Sequence, residues 1–513
     1  MTNLLIRSRS LIPRVHDRFS YEEIQQGAIL VDDGVIAEIG TFADLTRRFP
    51  EAPVVGTGNE VVLPGFVNAH HHVGLTPVQL GSPDMPLELW FVTRMVMRSV
   101  DLYLDTLYSA FEMIASGVTT VQHIQSVLPG SLDEVEAKCR DVLRAYDDVG
   151  MRASYSYSVR DQNRLVYRAD EEFVASLPRD LQGPVQRWFD RIKVGLPEAI
   201  ELTDRLRRHA ASKSRIAIQL APANLHWCSD HALATLAETS RTEGLPMHMH
   251  VLETQYQKAY AERRGGCSAI AYLDRFGMLG PKLTIGHGVW LTQADVERLA
   301  ETGTCICHNC SSNFRLRSGI AALNHFEAKG IATAIGIDEA GLNDDRDMLQ
   351  EMRLVLRAHR VPGLERDEVP TTPQVLRMAT AGGAMTTPFA RMIGSLEPGK
   401  AADLIMIDWQ DVAYPYLDPE TSTLDAIVQR AKSHAVGRVI CDGEIIYEQG
   451  RFKRVDRAEV LRAIHDDMAR ALSDDEVERR GLAKALLPHV QAFYADWVDA
   501  SQHEPFYRMN GRR

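Results

Sequence analysis

The chain has 513 residues, 45% hydrophobic and 25% charged, with 57 Lys and Arg against 69 Asp and Glu for a formal net charge of −12. That length suits one large barrel with satellites, and the composition is ordinary for a soluble globular protein. An acidic chain repels a phosphate backbone, which argues against nucleic acid as a partner. With no signal-type apolar run and no stretch of 18 apolar residues, no membrane partner and a cytoplasmic location are expected. The seven cysteines are an odd count and read as reduced thiols.

The first predicted elements are strands. Residues 27–40 alternate apolar side chains around an Asp33–Gly34 turn, a hairpin signal. The pattern returns at 402–408 and at 438–447 around Asp442–Gly443. Residues 1–62 and 395–455 are therefore expected to build one composite β-sandwich domain. Between them, apolar runs at 61–68, 118–124, 151–159, 216–223, 246–252, 283–289, 304–309 and 332–338 alternate with stretches of helical period. Eight β-then-α units predict an α/β fold, a (β/α)8 TIM barrel over 63–394. Residues 86–94 predict a short helix over the barrel mouth. Residues 160–214 are too long for a simple connection and predict extra helices there, a candidate lid. Residues 456–513 read as a helical extension, with two helices joined around Ser473–Asp475.

In such a barrel the active site lies at the C-terminal ends of the strands. The first run ends Asn68-Ala69-His70-His71-His72. Residues i and i+2 of a strand point the same way, so His70 and His72 can reach one metal while His71 faces the other side. The fifth run ends His248-Met249-His250-Val251-Leu252-Glu253, the sixth holds Gly286-His287-Gly288, and the eighth ends Gly336-Ile337-Asp338. One HxH is a common accident. Three histidine-bearing strand ends, a strand-terminal Asp and a nearby Glu are not.

Taken together these residues resemble a known family. Pro64-Gly65-Phe66-Val67-Asn68-Ala69-His70-His71-His72 resembles the PGFxxxHxH opening of the amidohydrolase superfamily. The segments at 248–253, His287, His308-Asn309-Cys310-Ser311-Ser312-Asn313 and 336–338 follow in the family's order, and 394–404 resembles its GxxxxGKxADL segment. The resemblance runs from about 27 to 450. It points to the mononuclear branch of triazine-type chlorohydrolases and guanine, cytosine and S-adenosylhomocysteine deaminases. It implies one divalent metal held by His70, His72, His250 and Asp338, with zinc as the default and iron, manganese or cobalt as alternatives. His248 is the rival for the fifth-strand place; Glu253, three residues after His250, favours His250.

Three His and one Asp leave an open position, where a bound divalent metal lowers the pKa of water from about 15.7 toward about 7. Asp338 would take the water's proton, Glu253 would hand a proton to the ring or leaving nitrogen, and His287 would orient or polarise. Binuclear relatives carry a lysine at the end of the fourth strand; residues 215–222 contain none, which argues for one metal. The expected reaction is hydrolytic deamination of a small N-heterocycle of purine, pyrimidine, pterin or triazine type, releasing ammonia. Amide, carbamate or urea hydrolysis and triazine-type dehalogenation stay open on the same site. A non-enzymatic scaffold is disfavoured, because every site position is filled. Leu75 stands where guanine deaminases carry Gln, which disfavours guanine.

Trp90, His123, His226, Trp227, His308 and Asn309 sit near predicted strand ends and are candidates to line the substrate pocket, each with a packing role as the alternative. Cys305 and Cys307 read as core of the seventh strand. A homodimer is the expected assembly.

Overall fold

The computed structural model describes residues 4–365 and 368–499; residues 1–3 of the expected β domain and 500–513 of the expected extension lie outside them. Eight parallel strands form a barrel: Phe66–His71, Val118–Gln125, Arg152–Val159, Ile216–Ile218 continued by Ala221–Pro222, Met247–Val251, Leu283–His287, Cys305–His308 and Thr333–Ile335. Neighbours pair in sequence order. Bridges at Leu220–Met247 and Asn224–His250 join the fourth strand to the fifth, and a bridge at His71–Asp338 joins the first to the eighth. The strands are buried on both faces, which is why they read as near-continuous runs without alternation.

The expected first strand, 61–68, is in fact two. Glu60–Pro64 belongs to another sheet and pairs antiparallel with Leu404–Asp408, and the barrel strand starts at Phe66. The break falls at Pro64–Gly65, where the Gly65 N–H bonds to the Asp403 carbonyl at 2.9 Å. A Cβ on Gly65 would lie 2.2 Å from Thr119 Oγ1, so only glycine lets the chain pass from one sheet to the other here.

Two sheets flank the barrel base. One, in the order Val35–Thr41, Gly27–Asp32, Leu4–Arg7, Val54–Val55, is entirely N-terminal. The other has seven strands drawn from both ends of the chain, with Glu60–Pro64 beside Leu404–Asp408 at its centre. Ile6, Ile29, Val31 and Ile36 of the first share one core with Val62, Leu404, Met406 and Ile440 of the second. A buried fork ties this unit to the barrel: Arg152, at the start of the third strand, donates to both Asp403 oxygens at 2.8 and 3.0 Å. Neither residue is more than 3% exposed. Such a two-point guanidinium–carboxylate pair fixes orientation as well as charge.

The mouth of the barrel is roofed. A cap helix, Leu87–Thr93, continues as a tight turn, Arg94–Val96. Helices Asp170–Ser176 and Arg179–Arg191 of the long connection, with the C-terminal helix Asp474–Tyr494, pack around it. Their shared core includes Val92, Met95, Phe173, Phe189, Leu486 and Tyr494. The C-terminal helix also grips the cap through polar contacts. Arg479 donates to the carbonyls of Met95 and Met97 at 2.7 and 2.9 Å, Arg480 donates to that of Val96 at 3.0 Å, and Glu476 accepts from Ser99 N at 2.9 Å. Among the described residues no helix is long and apolar enough to cross a membrane.

Candidate active site

Four of the sequence-selected side chains converge at the barrel mouth. His72 Nε2 lies 3.0 Å from His70 Nε2 and 3.1 Å from His250 Nε2. Asp338 Oδ1 is 3.3 Å from His72 Nε2 and 3.7 Å from His70 Nε2. The other nitrogens are already committed. His72 Nδ1 meets the Ile124 carbonyl at 2.7 Å, and His250 Nδ1 meets the Ala223 carbonyl at 2.8 Å. A carbonyl only accepts, so each Nδ1 carries the hydrogen and, in a neutral ring, each Nε2 is a bare lone pair. Two lone pairs facing each other at 3.1 Å repel unless a cation sits between them. Burial, then the neighbouring histidines, hold His70 and His250 well below the usual imidazole range, which favours the neutral form a metal binds. The donor set therefore fits one divalent ion, with nitrogen and oxygen ligands at about 2.0–2.2 Å.

His248 is not part of this cluster. It lies deeper, with Nε2 2.8 Å from His70 Nδ1, and orients that ring from behind. Room for these imidazoles comes from glycines on facing strands. A Cβ on Gly336 would fall 2.5 Å from His70 Cβ, and one on Gly286 would fall 3.0 Å from His70 Cε1.

Three non-glycine residues at the strand ends adopt left-handed backbone: Leu252 (φ 53°), His287 (φ 72°) and Asp338 (φ 62°). Such conformations cost about 1–3 kcal/mol each and persist where the surroundings over-determine them, as at active sites. Here they turn the chain so that Glu253, His287 and Asp338 face one point. Glu253 Oε2 and Asp338 Oδ2 lie 3.7 and 3.6 Å from His287 Nε2. Burial pushes the Glu253 carboxyl up to about 7; His287 pulls against the rise, while the charges of Asp338 and Glu88 add to it. His287 is held by Asn313 Oδ1 at Nδ1 (3.0 Å) and by Asn309 Nδ2 at Nε2 (3.2 Å). Ser312 donates to Asp338 Oδ2 at 2.7 Å.

Beside these groups lies a cavity of about 30 Å³, lined also by Leu87, Trp90, Phe91, Arg94, Arg160, Trp227 and Gln257. A larger cavity, about 370 Å³, adjoins it and shares Phe91, Arg94, Ser126 and Arg160. Of the six predicted pocket residues, Trp90 and Trp227 are there. His123 is not: it bonds Tyr146 at 2.8 Å on the helix side, because it is the register partner of the outward-facing His71. His226 stacks between Tyr167 and Trp227, behind the wall. His308 bonds His359 at 2.8 Å, outside the barrel mouth. Asn309 touches His287 rather than the cavity.

Sequence reasoning missed Arg160 and Gln257. Arg160 follows the third strand directly and its guanidinium stacks 3.6 Å over Trp227. Among the described residues it makes no ion pair. Burial, with Arg94 next, brings it down to about 9. Its place after a strand end was the available signal. Gln257 lies in the first turn of the helix that follows Glu253, and no sequence signal marked it.

Residues 61–446 match the amidohydrolase family, and residues 27–52 match the imidazolonepropionase-like composite domain of bacteria. The chain is 29% identical over 445 residues to the 5'-deoxyadenosine deaminase of Methanosarcina mazei, covering 86% of this chain and 92% of that one. It is 28% identical over 466 residues to the 5-methylthioadenosine/S-adenosylhomocysteine deaminase of Moorella thermoacetica, covering 90% and 97%. Among solved structures, an adenosine deaminase from Xanthomonas campestris with bound zinc superposes with a TM-score of 0.76 at 24% identity, covering 90% of this chain and 97% of that chain. With three quarters of its length matched and the strand-end residues in the expected places, the chain belongs to the amidohydrolase family.

Proposed function

We propose that this amidohydrolase removes the exocyclic amino group of an adenosine-type 6-aminopurine by hydrolysis, using one divalent metal, zinc by preference, held by His70, His72, His250 and Asp338. The observation that carries the metal is the pair of bare Nε2 atoms of His72 and His250 facing each other at 3.1 Å. A single ion is supported by the fourth strand, Ile216–Ile218, which with its continuation offers Gln219 and no lysine. The substrate class is supported by relatives named as deaminases of 5'-deoxyadenosine and 5-methylthioadenosine.

The bound ion would supply Lewis acidity, lowering the pKa of water from about 15.7 toward about 7. The remaining work falls to side chains. Asp338 Oδ2, oriented by Ser312, accepts a proton from the attacking water. Glu253, protonated up to about 7, gives its proton to the ring nitrogen beside the attacked carbon and so relieves the charge that builds there. Asp338 then passes the water's proton to the amino group, Glu253 recovers a proton from the added hydroxyl, the carbon–nitrogen bond breaks, ammonia leaves, and a ring carbonyl remains. His287, fixed by Asn309 and Asn313, steadies the oxygen as it adds. Trp90 and Trp227 bound the space for a flat ring.

The domain division that accompanies this reading is a composite β-sandwich from 1–62 and 395–455, a catalytic barrel over 63–394 and a helical extension from 456. Its support is the core shared by the two flanking sheets.

The test is metal content per chain, run beside ammonia release from 5'-deoxyadenosine, 5'-methylthioadenosine, S-adenosylhomocysteine, guanine, cytosine and triazines. About one metal and ammonia from an adenosine derivative is the expected result. About two metals would overturn the single-ion reading, and ammonia only from another ring would overturn the purine.

A further inference from the structure

Gln257 lies in the first turn of the helix Gln255–Gly265, whose N-terminus is capped by Thr254. Its side-chain Oε1 accepts the backbone N–H of Glu253 at 2.8 Å. A glutamine amide has one accepting oxygen and one donating NH2 group. Because its partner here is an N–H, the oxygen end is assigned, and the NH2 end is assigned with it. That end belongs to a side chain lining the catalytic cavity with His250, Glu253, His287 and Asp338. The residue is only 4% exposed, yet among the described residues Nε2 has no hydrogen-bond partner. Buried donors are nearly always paired, and an unpaired one is a defect unless something else completes it. A second donor in the same condition belongs to the cap residue Trp90, which also lines the cavity: Nε1, in a residue 3% exposed, has no partner among the described residues. The two donors come from separate elements, and one is pinned to the backbone of the proposed proton donor.

We propose that Gln257 is a substrate-binding residue whose amide donates a hydrogen bond to an acceptor, a ring nitrogen or carbonyl oxygen, on the edge of the substrate ring that faces Glu253. This rests on the reading of the site as a ring deaminase. It narrows the substrate to heterocycles with at least one acceptor besides the nitrogen that Glu253 protonates, and with Trp90 to those with two. The bond exists before and during the reaction, so its loss weakens binding more than turnover.

The test uses zinc-loaded enzyme and Gln257→Met, which keeps length and removes both amide functions, beside Gln257→Leu, which removes both with a shorter, branched side chain. Zinc content should be unchanged in both. With 5'-deoxyadenosine, KM should rise about tenfold or more, the size of one buried hydrogen bond, while kcat stays within about threefold. The 3-deaza and 7-deaza analogues each replace one ring acceptor by C–H. One of them should lose the same factor on the wild-type enzyme and nothing further on either variant. Unchanged KM, or analogue losses that multiply with the mutation for both rings, would overturn the assignment. If the wild-type enzyme ignores purines but releases ammonia from another ring, the purine reading has failed and the same KM comparison is made on that ring. If it releases none, calorimetric binding of hypoxanthine, uracil and cyanuric acid decides: about tenfold weaker binding by the variants supports the role, while equal binding, or no binding by the wild-type protein, refutes it.

Discussion

Replacing Gly336 with alanine should cost the protein its metal before it costs the protein its fold. The new methyl would lie 2.4 Å from Asn309 Oδ1, 2.5 Å from His70 Cβ and 3.0 Å from Cys307 Sγ. Ordinary carbon contacts begin near about 3.5 Å, so about 1 Å of movement is required. The Asn309 amide can rotate, but in doing so it releases His287. His70 Cβ is one bond from the backbone and cannot withdraw without carrying the strand that holds both His70 and His72. Overpacking of this kind costs about 1–3 kcal/mol of stability. Disturbing the support of a metal ligand typically weakens affinity about 10–100-fold. The two effects separate in one assay: thermal melts of metal-free and zinc-loaded protein, with zinc affinity measured against a competing chelator. The zinc-induced gain in stability should shrink by about 1.4 kcal/mol for each tenfold loss of affinity. Gly481→Ala is the control, because a Cβ added there, in the helix Asp474–Tyr494, would meet nothing within 4 Å. It should add about 1 kcal/mol of stability and leave zinc binding alone. A Gly336→Ala protein with wild-type zinc affinity and melting temperature would refute the argument.

Glu253→Gln should retain its metal and lose about 10²–10⁴ in kcat, read as ammonia release; an unchanged kcat removes Glu253 from proton transfer. In the wild-type enzyme kcat/KM should fall about tenfold per pH unit above about 7, as the burial-raised carboxyl loses its proton, and that limb should vanish in Glu253→Gln. The folded pKa exceeds the ordinary 4.5, so this group's favourable share of stability is complete below about 4.5 and is lost as pH climbs through about 7; denaturant titrations of the two proteins should diverge in that sense. Asp403→Asn leaves the buried Arg152 only the more exposed Asp442 as counter-charge and should cost up to about 3–5 kcal/mol in urea, whereas Arg152→Met with Asp403→Leu should recover much of it. A single variant as stable as the wild type would mean the pair is idle. His70→Ala and Asp338→Ala should each lower metal per chain, and full occupancy in both would mean that the ligands lie elsewhere.

Strand parity made the centre of the site legible. Alternation set His70 and His72 on one side and the barrel rule set the fifth-strand histidines, His287 and Asp338 at strand ends, whereas the choice of His250 over His248, which share a parity, came from the family resemblance. His123 shows their limit. It ends a strand, but its facing follows from its register with His71, and that register is shifted by a bulge between Asn68 and His71 that no local pattern announces. The break at Pro64–Gly65 was visible as residue types yet was read through, since the apolar run continues across it. The tail's two helices and their joint around Ser473–Asp475 were legible, and the structure adds the Ser473 and Glu476 capping box that starts the second. Where that helix docks was not, because its contacts reach residues far away along the chain, Arg479 to Met95 among them. Gln257 escaped for the same reason in miniature. Its meaning depends on which end of an amide is pinned, and only coordinates tell.

The roof over the barrel sets unequal terms for the two products of a deamination. The small cavity beside the site residues opens on the larger one of about 370 Å³ through the shared Phe91, Arg94 and Arg160, so ammonia needs little room to leave while a ring must pass along the cap. Leu87, Trp90 and Phe91 line that way, and the segment that carries them is held at Met95, Val96, Met97 and Ser99 by a helix drawn from the far end of the chain. Loosening the grip of residues 474–494 should therefore alter the passage of the large partner and leave that of the small one unchanged.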